Sequence, residues 1–521
     1  MLASLTILRR RINHHDSKIC SIPTEILLLI ASHLALNSDL VTATHVCYHL
    51  RTVLLSSPIL WSHIDGARVE RGMTFLRRSE SVPLHVDLTR PNGNSGGRGG
   101  TIDGSTLGAH AGRIVTLKVD TWSPRLQETL LSMGMPSLRT LEFKSVLAVG
   151  GPGGRIVMRN LYHLTSLKLT DHPPTHLYVP HLTRLAVELT ADFFLFQENT
   201  QDIINDLCRL IGTCPLLEHI EIGWYEHTAK TPAKTISLPN LRTFTHVVTN
   251  SEYTSVLLNA LSLPPSCRVA LQSSVWMDPD WSLSPALVPT LRDRSYLTDV
   301  KRIKLSAADN RVDHTMLFAG IVLINDKGNR IALERSMFVV PPTGIDPSMD
   351  ARINTTYLGY LEHLNMNSAE VLCLHGYELR YGRGGGQTAI KRALERLKAL
   401  TTLILSNSAT SLFLSALLPG SEGWCGPKIH TLVIHTRART SFRSQDVLKT
   451  VLSVAKERKA AGLPFKSVSV FILHPDECEL DLLRDLTGCI ERFELVMGDS
   501  VLDWDPDKYF LDGLGDSQRR S

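Results

Sequence analysis

Paired cysteines are missing from this 521-residue chain. Nine are scattered, an odd number, with no C-x-x-C, and the nearest two, Cys208 and Cys214, stand six residues apart. That spacing suits neither a zinc site nor a disulfide framework, and it predicts reduced thiols in a cytoplasmic or nuclear protein. A bias of charge is missing too. Lys and Arg number 55 against 51 Asp and Glu, a formal charge of +4, which predicts no nucleic-acid partner and no membrane partner. No apolar run is long enough to span a bilayer, and the most apolar stretch, 26–36, is broken by Ser32 and His33. At the start, apolar Met1 to Leu8 precedes Arg9-Arg10-Arg11, the reverse of a secretory signal, although a mitochondrial presequence stays open.

Catalytic signatures are equally scarce. There is no HExxH, no GxSxG and no kinase-type catalytic loop. The glycine-rich stretches 91–100, 150–154 and 382–386 lack the Gly-Lys-Ser/Thr ending of a phosphate loop and read as surface loops. His14, His15, His172 and His176 have no Cys or carboxylate at ligand spacing and read as solvated side chains. Asp476, Glu477, Glu479 and Asp481 surround Cys478 but lack the glycine and final Glu of a calcium loop. The expectation is therefore a chain with no cofactor and no metal that is not an enzyme.

What is present begins at Ile22. Ile26, Leu27, Ile30 and Leu34 recur at helical spacing after Pro23, which suits a first helical turn. Ser38 and Asp39 offer a second N-cap ahead of Leu40, Ala43, Val46 and Cys47, and a third short element carries Leu60 and Trp61. The order Ile22-Pro23, Glu25-Ile26-Leu27, Ile30, Leu34, Asp39-Leu40, Val46-Cys47, Arg51, Pro58 and Leu60-Trp61 resembles the F-box, a short helical module. The resemblance implies docking onto the Skp adaptor of SCF-type cullin ubiquitin ligases. It implies contact through Ile22, Pro23, Ile26, Leu27, Ile30, Leu34, Leu40, Val46, Cys47, Leu60 and Trp61. Leu50 stands where the family usually has Trp, and Tyr48 where a basic residue is common; a Leu50 packed beneath Trp61 would keep the module intact.

After this module a helix is expected over 67–79 and a strand over 83–88. Then a theme of apolar, two residues, apolar, one residue, apolar recurs, at Ile114, Leu138, Leu164, Leu182, Leu217, Leu400, Ile429 and Ile490, with looser copies at Leu241, Val300, Ala369 and Phe465. This resembles the leucine-rich repeat, each copy of which supplies a parallel strand that buries its apolar side only against its neighbours. Start-to-start separations of 24, 26, 18, 35 and 24 residues make the array degenerate. Helices are expected from Asp202, over 387–400 and from Ser444, and a β-hairpin around 321–333.

The expected fold is α/β: a short N-terminal three-helix F-box followed by an irregular leucine-rich-repeat-like solenoid. Its boundaries are a tail at 1–20, the module at 21–65, the array at 66–500 with a flexible loop at 91–104 and a split or insertion near 264–350, and a tail at 501–521. Strand positions facing away from the apolar side, Lys118, Glu142, Lys168, Arg184, Glu188, Glu221 and Thr402, would line the face presented to an unidentified protein substrate. The leading reading is a non-catalytic substrate receptor of a Skp–cullin ligase. The alternatives are an F-box scaffold working outside a ligase, and an enzyme on a repeat-like scaffold.

Overall fold

The computed structural model describes residues 18–34, 37–66, 69–89, 102, 104–121, 129, 133–145, 161–172, 174, 177–190, 200–224, 235–248, 251–264, 266–275, 300–309, 316–325, 330–338, 366–375, 385–406, 410–419, 423–436, 444–472 and 480–497. The glycine stretches at 91–100 and 150–154, the arginines at 9–11, His14, His15, His176, the acidic residues 476–479 and the tail from 501 lie outside them. The chain forms two compact units that divide between Gly223 and Trp224.

The first unit opens with helices α1 (Thr24–Ser32), α2 (Asn37–Ala43) and α3 (Tyr48–Leu55), followed by a 3₁₀ turn, Pro58–Trp61. The helix predicted to carry Val46 and Cys47 stops at Ala43. Cys47 instead caps α3, its Sγ accepting the N–H of Leu50 at 3.4 Å. The chain then runs through β1 (His63–Asp65), α4 (Val69–Arg78), β2 (Leu84–Leu88), α5 (Gly104–Gly108), β3 (Ile114–Thr121), β4 (Thr140–Ser145), β5 (Ser166–Thr170), β6 (Arg184–Leu189), α6 (Thr200–Gly212) and β7 (His219–Trp224). Helix α6 starts at Thr200, so Asp202 sits in its first turn, where a carboxylate suits the helix dipole, rather than at its cap.

Strands β1 to β6 pair side by side in chain order, all parallel. The register explains the recurring theme. Leu117, Leu141, Leu167 and Leu185 stand opposite one another, as do Val119, Phe143, Leu169 and Val187, and all are buried. The first apolar residue of each copy closes a turn: the N–H of Leu138 donates to the carbonyl of Met135, Leu164 to Leu161, Leu182 to Val179 and Leu217 to Cys214, at 3.1, 3.1, 3.1 and 3.3 Å. One apolar position thus fixes the turn and two fix the strand.

In the second unit a two-residue parallel pair, β8 (Ile236–Ser237) and β10 (Leu261–Ser262), flanks β9 (Thr243–Val248) and α7 (Ser251–Ala260). Strand β11 (Arg268–Val275) lies parallel to β9. Next come β12 (Val300–Asp309), β13 (Met316–Asn325) and β14 (Arg330–Phe338), antiparallel in sequence, so the predicted hairpin is part of a three-stranded meander. Its odd strand count returns the chain to its original direction. Thus β14 lies parallel to β11, and β12 lies parallel to β15 (Val371–His375). Strands β16 (Thr402–Ser406), β17 (Thr431–Thr436), β18 (Ser467–Ile472) and β19 (Arg492–Met497) continue in parallel, with α8 (Gly385–Arg396), α9 (Thr410–Ala416), α10 (Ser444–Ala460) and α11 (Leu480–Cys489) between them. The predicted helix over 387–400 therefore ends at Arg396, and the N–H of Leu400 closes the turn into β16 by donating to the Leu397 carbonyl.

The two units differ in how their strands are covered. In β16, Leu403, Ile404 and Leu405 are all buried, and Cys373, Ile404 and Val433 share a second apolar cluster with Val322, Ile324 and Ala332. Apolar residues at consecutive positions are what a strand covered on both faces requires. In β5 and β6, by contrast, Lys168, Arg184 and Glu188 are exposed between buried leucines and valines.

Candidate functional site

Helix α1 divides its apolar residues between two sides. Leu27 packs with Leu50 and Val53 of α3, with Ile22, Leu28 and Cys47 half-buried around them, and Ala31 is buried one turn on. Leu50 is thus packed, but against Leu27 and Val53 rather than beneath Trp61. On the other side, Ile26, Leu29 and Ile30 stay exposed, Ile30 at 53 %, and Leu34, just past the helix end, is exposed as well. Val46, Tyr48 and Ile59 are exposed as well, at 63, 56 and 58 %. Large aliphatic side chains held this open on a short, otherwise packed helix are unusual enough to need a partner.

The residues proposed from sequence as docking contacts therefore separate. Pro23, Ile26, Ile30, Leu34 and Val46 are exposed, and Ile22, Cys47 and Leu60 are half-buried. Leu27, Leu40 and Trp61 are buried, in contrast to the exposed group. Trp61, at 0 % exposure, is the inner anchor. Its Nε1–H donates to the Leu54 carbonyl at 2.9 Å, its ring meets Phe75 of α4 edge-on at 4.9 Å, and the Arg78 guanidinium lies 4.5 Å over it. Leu29, Tyr48 and Ile59 were missed by the sequence reading, although Leu29 stands at i+3 from Ile26, where a helical stripe requires it.

The module is joined firmly to the first strands of the sheet. Ile64, buried, sits in β1 opposite Val86 of β2. Helix α4 lies close to β1 at Gly72, where a Cβ would come within 3.3 Å of the Asp65 carbonyl and 2.5 Å of Ile102 Cδ1. Arg71 pairs with Asp65 at 3.1 Å. Arg113 closes the C-terminal end of α4, donating to the carbonyls of Leu76, Ser79 and Val82 at 3.2 Å each and to Ser79 Oγ at 3.1 Å.

Of the strand positions proposed as a target face, Lys118, Glu142 and Lys168 fall on one row, whereas Arg184 stands opposite Ser166 and Glu188 opposite Thr170. Asp87, Lys118, Glu142 and Lys168 stand opposite one another across β2 to β5, and Lys118 pairs with Glu142 at 3.0 Å. Arg184 and Glu221 are exposed on β6 and β7, and Thr402 of β16 is half-buried. The row carries alternating charge on neighbouring strands.

Among the described residues, no group of three or more His, Cys, Asp or Glu could hold a metal ion, and no helix is long and apolar enough to cross a membrane. His172, expected in solvent, is buried edge-on to Phe143 at 5.2 Å. Cys208 and Cys214 are free, and burial pushes both thiols up to about 11. Residues 19–66 match the family model described as F-box-like. No curated protein matches the chain. Among solved structures, the crystal structure of Listeria monocytogenes InlP is similar at 14 % identity over 54 % of this chain and 90 % of its own, with a TM-score of 0.19, too low to carry an argument.

Proposed function

We propose that this chain is a non-catalytic substrate receptor of an SCF-type cullin ubiquitin ligase. An F-box-like segment supports a role as an adaptor of such ligases in general. The observation that supports the reading is the stripe of Ile26, Leu29 and Ile30, open to solvent on a helix whose opposite side is packed, with Leu34 exposed just past the helix end, inside the matched segment. Moving each of these from half-exposed to buried against a Skp-type adaptor contributes roughly 1 kcal/mol. The parallel strands, read as degenerate leucine-rich-repeat-like units, then present a target protein on the face bearing Lys118, Glu142, Lys168, Arg184 and Glu221. The chemistry of ubiquitin transfer belongs to the partners; this chain contributes proximity in the cytoplasm or nucleus.

The test is co-purification of the chain with a Skp-type adaptor and cullin, wild type beside Ile26→Asp/Ile30→Asp. Both side chains are exposed, so the variant should melt as the wild type does while losing the adaptor. Equal recovery of adaptor with both proteins sinks the docking reading. Adaptor recovered without cullin turns the reading toward a scaffold outside a ligase.

A further inference from the structure

The arginines around the helical module are of two kinds. Arg71 is neutralised by Asp65, and Arg113 is spent on backbone carbonyls. Arg51, Arg77 and Arg78 have no carboxylate partner among the described residues. They are brought together by Trp61. Its indole is tied to Leu54, one turn beyond Arg51 on α3, and its ring carries Arg78 at the end of α4, next to Arg77. Stacking on the ring uses the face of the Arg78 guanidinium and leaves its N–H donors, which lie in the plane, for another acceptor. Arg78 is held below its usual pKa first by desolvation and then by the neighbouring charges of Arg51 and Arg77, the sign of cations gathered without an anion. Arg51 also stands one turn from exposed Tyr48 on α3.

We propose that Arg51, Arg77 and Arg78 form a second contact for the docked adaptor, receiving an acidic, Asp- and Glu-rich segment of it. This rests on the adaptor reading above. Apolar contact through Ile26 and Ile30 supplies affinity, and the arginines supply orientation and encounter rate, which makes their share dependent on salt.

The test titrates the purified full-length chain with a Skp-type adaptor at about 50 mM and about 500 mM salt, which span strong and weak screening. Arg78 is retained because it stacks on Trp61, and Arg51→Gln/Arg77→Gln is compared with Arg51→Lys/Arg77→Lys and with Ile26→Asp/Ile30→Asp. A melting curve of each confirms folding. The Gln pair should bind roughly tenfold more weakly at low salt and equally at high salt, while the Lys pair keeps the wild-type affinity. A Gln pair indistinguishable from wild type at both salts overturns the patch and leaves the docking face standing. An Ile26→Asp/Ile30→Asp variant that binds like wild type overturns both.

Discussion

Trp61 shows how one buried side chain can tie a short helical module to the element that follows it. Its ring packs against Phe75 of α4, and its N–H joins that of Ser57 on the Leu54 carbonyl at the end of α3. Trp61→Ala should cost about 3–5 kcal/mol. Trp61→Phe, which keeps most of the ring and removes one of the donors to the Leu54 carbonyl, should cost about 0.5–1.5 kcal/mol from the lost hydrogen bond. Denaturant melts of the two variants check the order, and equal losses would show that the hydrogen bond is worth little. His246 makes a different case. Burial holds its imidazole neutral, with the pKa pushed down to about 3. The unfolded chain takes up that proton near pH 6.5 and the folded chain does not. Stability is therefore complete above 6.5 and falls as the pH drops from 6.5 toward 3, by up to ~1.4 kcal/mol per pH unit. Urea midpoints at about pH 7, 5.5 and 4.5 should converge in His246→Phe relative to wild type.

At the scale of elements, an arginine is used twice to finish a backbone turn. Arg113 takes the carbonyls at the end of α4. Arg458, buried in α10, donates to the carbonyls of Gly426, Pro427 and Ile429 at 3.4, 3.3 and 2.8 Å, with Phe465 4.9 Å from its Cζ. Gly426 holds φ of +60°, a conformation that costs a side-chain-bearing residue and that lets the loop fold under the guanidinium. Desolvation pushes Arg458 down to about 10, still charged at neutral pH. Arg113→Ala should release the last turn of α4. Hydrogen exchange over 76–82 should quicken while α10 is unaffected, and unchanged exchange there would mean the carbonyls are held some other way. Neither arginine was legible in the sequence, because their partners are backbone atoms 31 to 37 and 29 to 32 residues away. The strands that carry the apolar triplet were legible, since each triplet fixes a turn and a strand locally, whereas β1, β8, β10 and β11 carry none and were not. The end of α2 was not: Val46 and Cys47 continue the apolar pattern past the point where the chain turns.

For the whole molecule, the informative contrast is between Leu-Lys-Leu in β5 and Leu-Ile-Leu in β16. The first alternates and has an open polar face; the second is apolar at consecutive positions and is covered on both. That difference was present in the sequence, but a template asking only for apolar positions ignores what lies between them. It also confines the proposed target face to the first unit. Lys168→Glu/Arg184→Glu should remove target binding and spare the adaptor, whereas Ile26→Asp/Ile30→Asp should do the reverse. Quantifying target and adaptor on the same purified chain tests this, and loss of both together in either variant would argue against two separate surfaces.

Strand β1 has a mechanical consequence. The chain leaves the helical module at Trp61, and by His63 it is already hydrogen-bonded into the sheet beside His85. There is no slack between the grip and the palm. A protein held on β2 to β6 would have its angle toward anything clasping α1 set by backbone geometry rather than averaged by a swinging tether. Which of its lysines comes within reach would then be a question of compass bearing, decided before the complex ever forms.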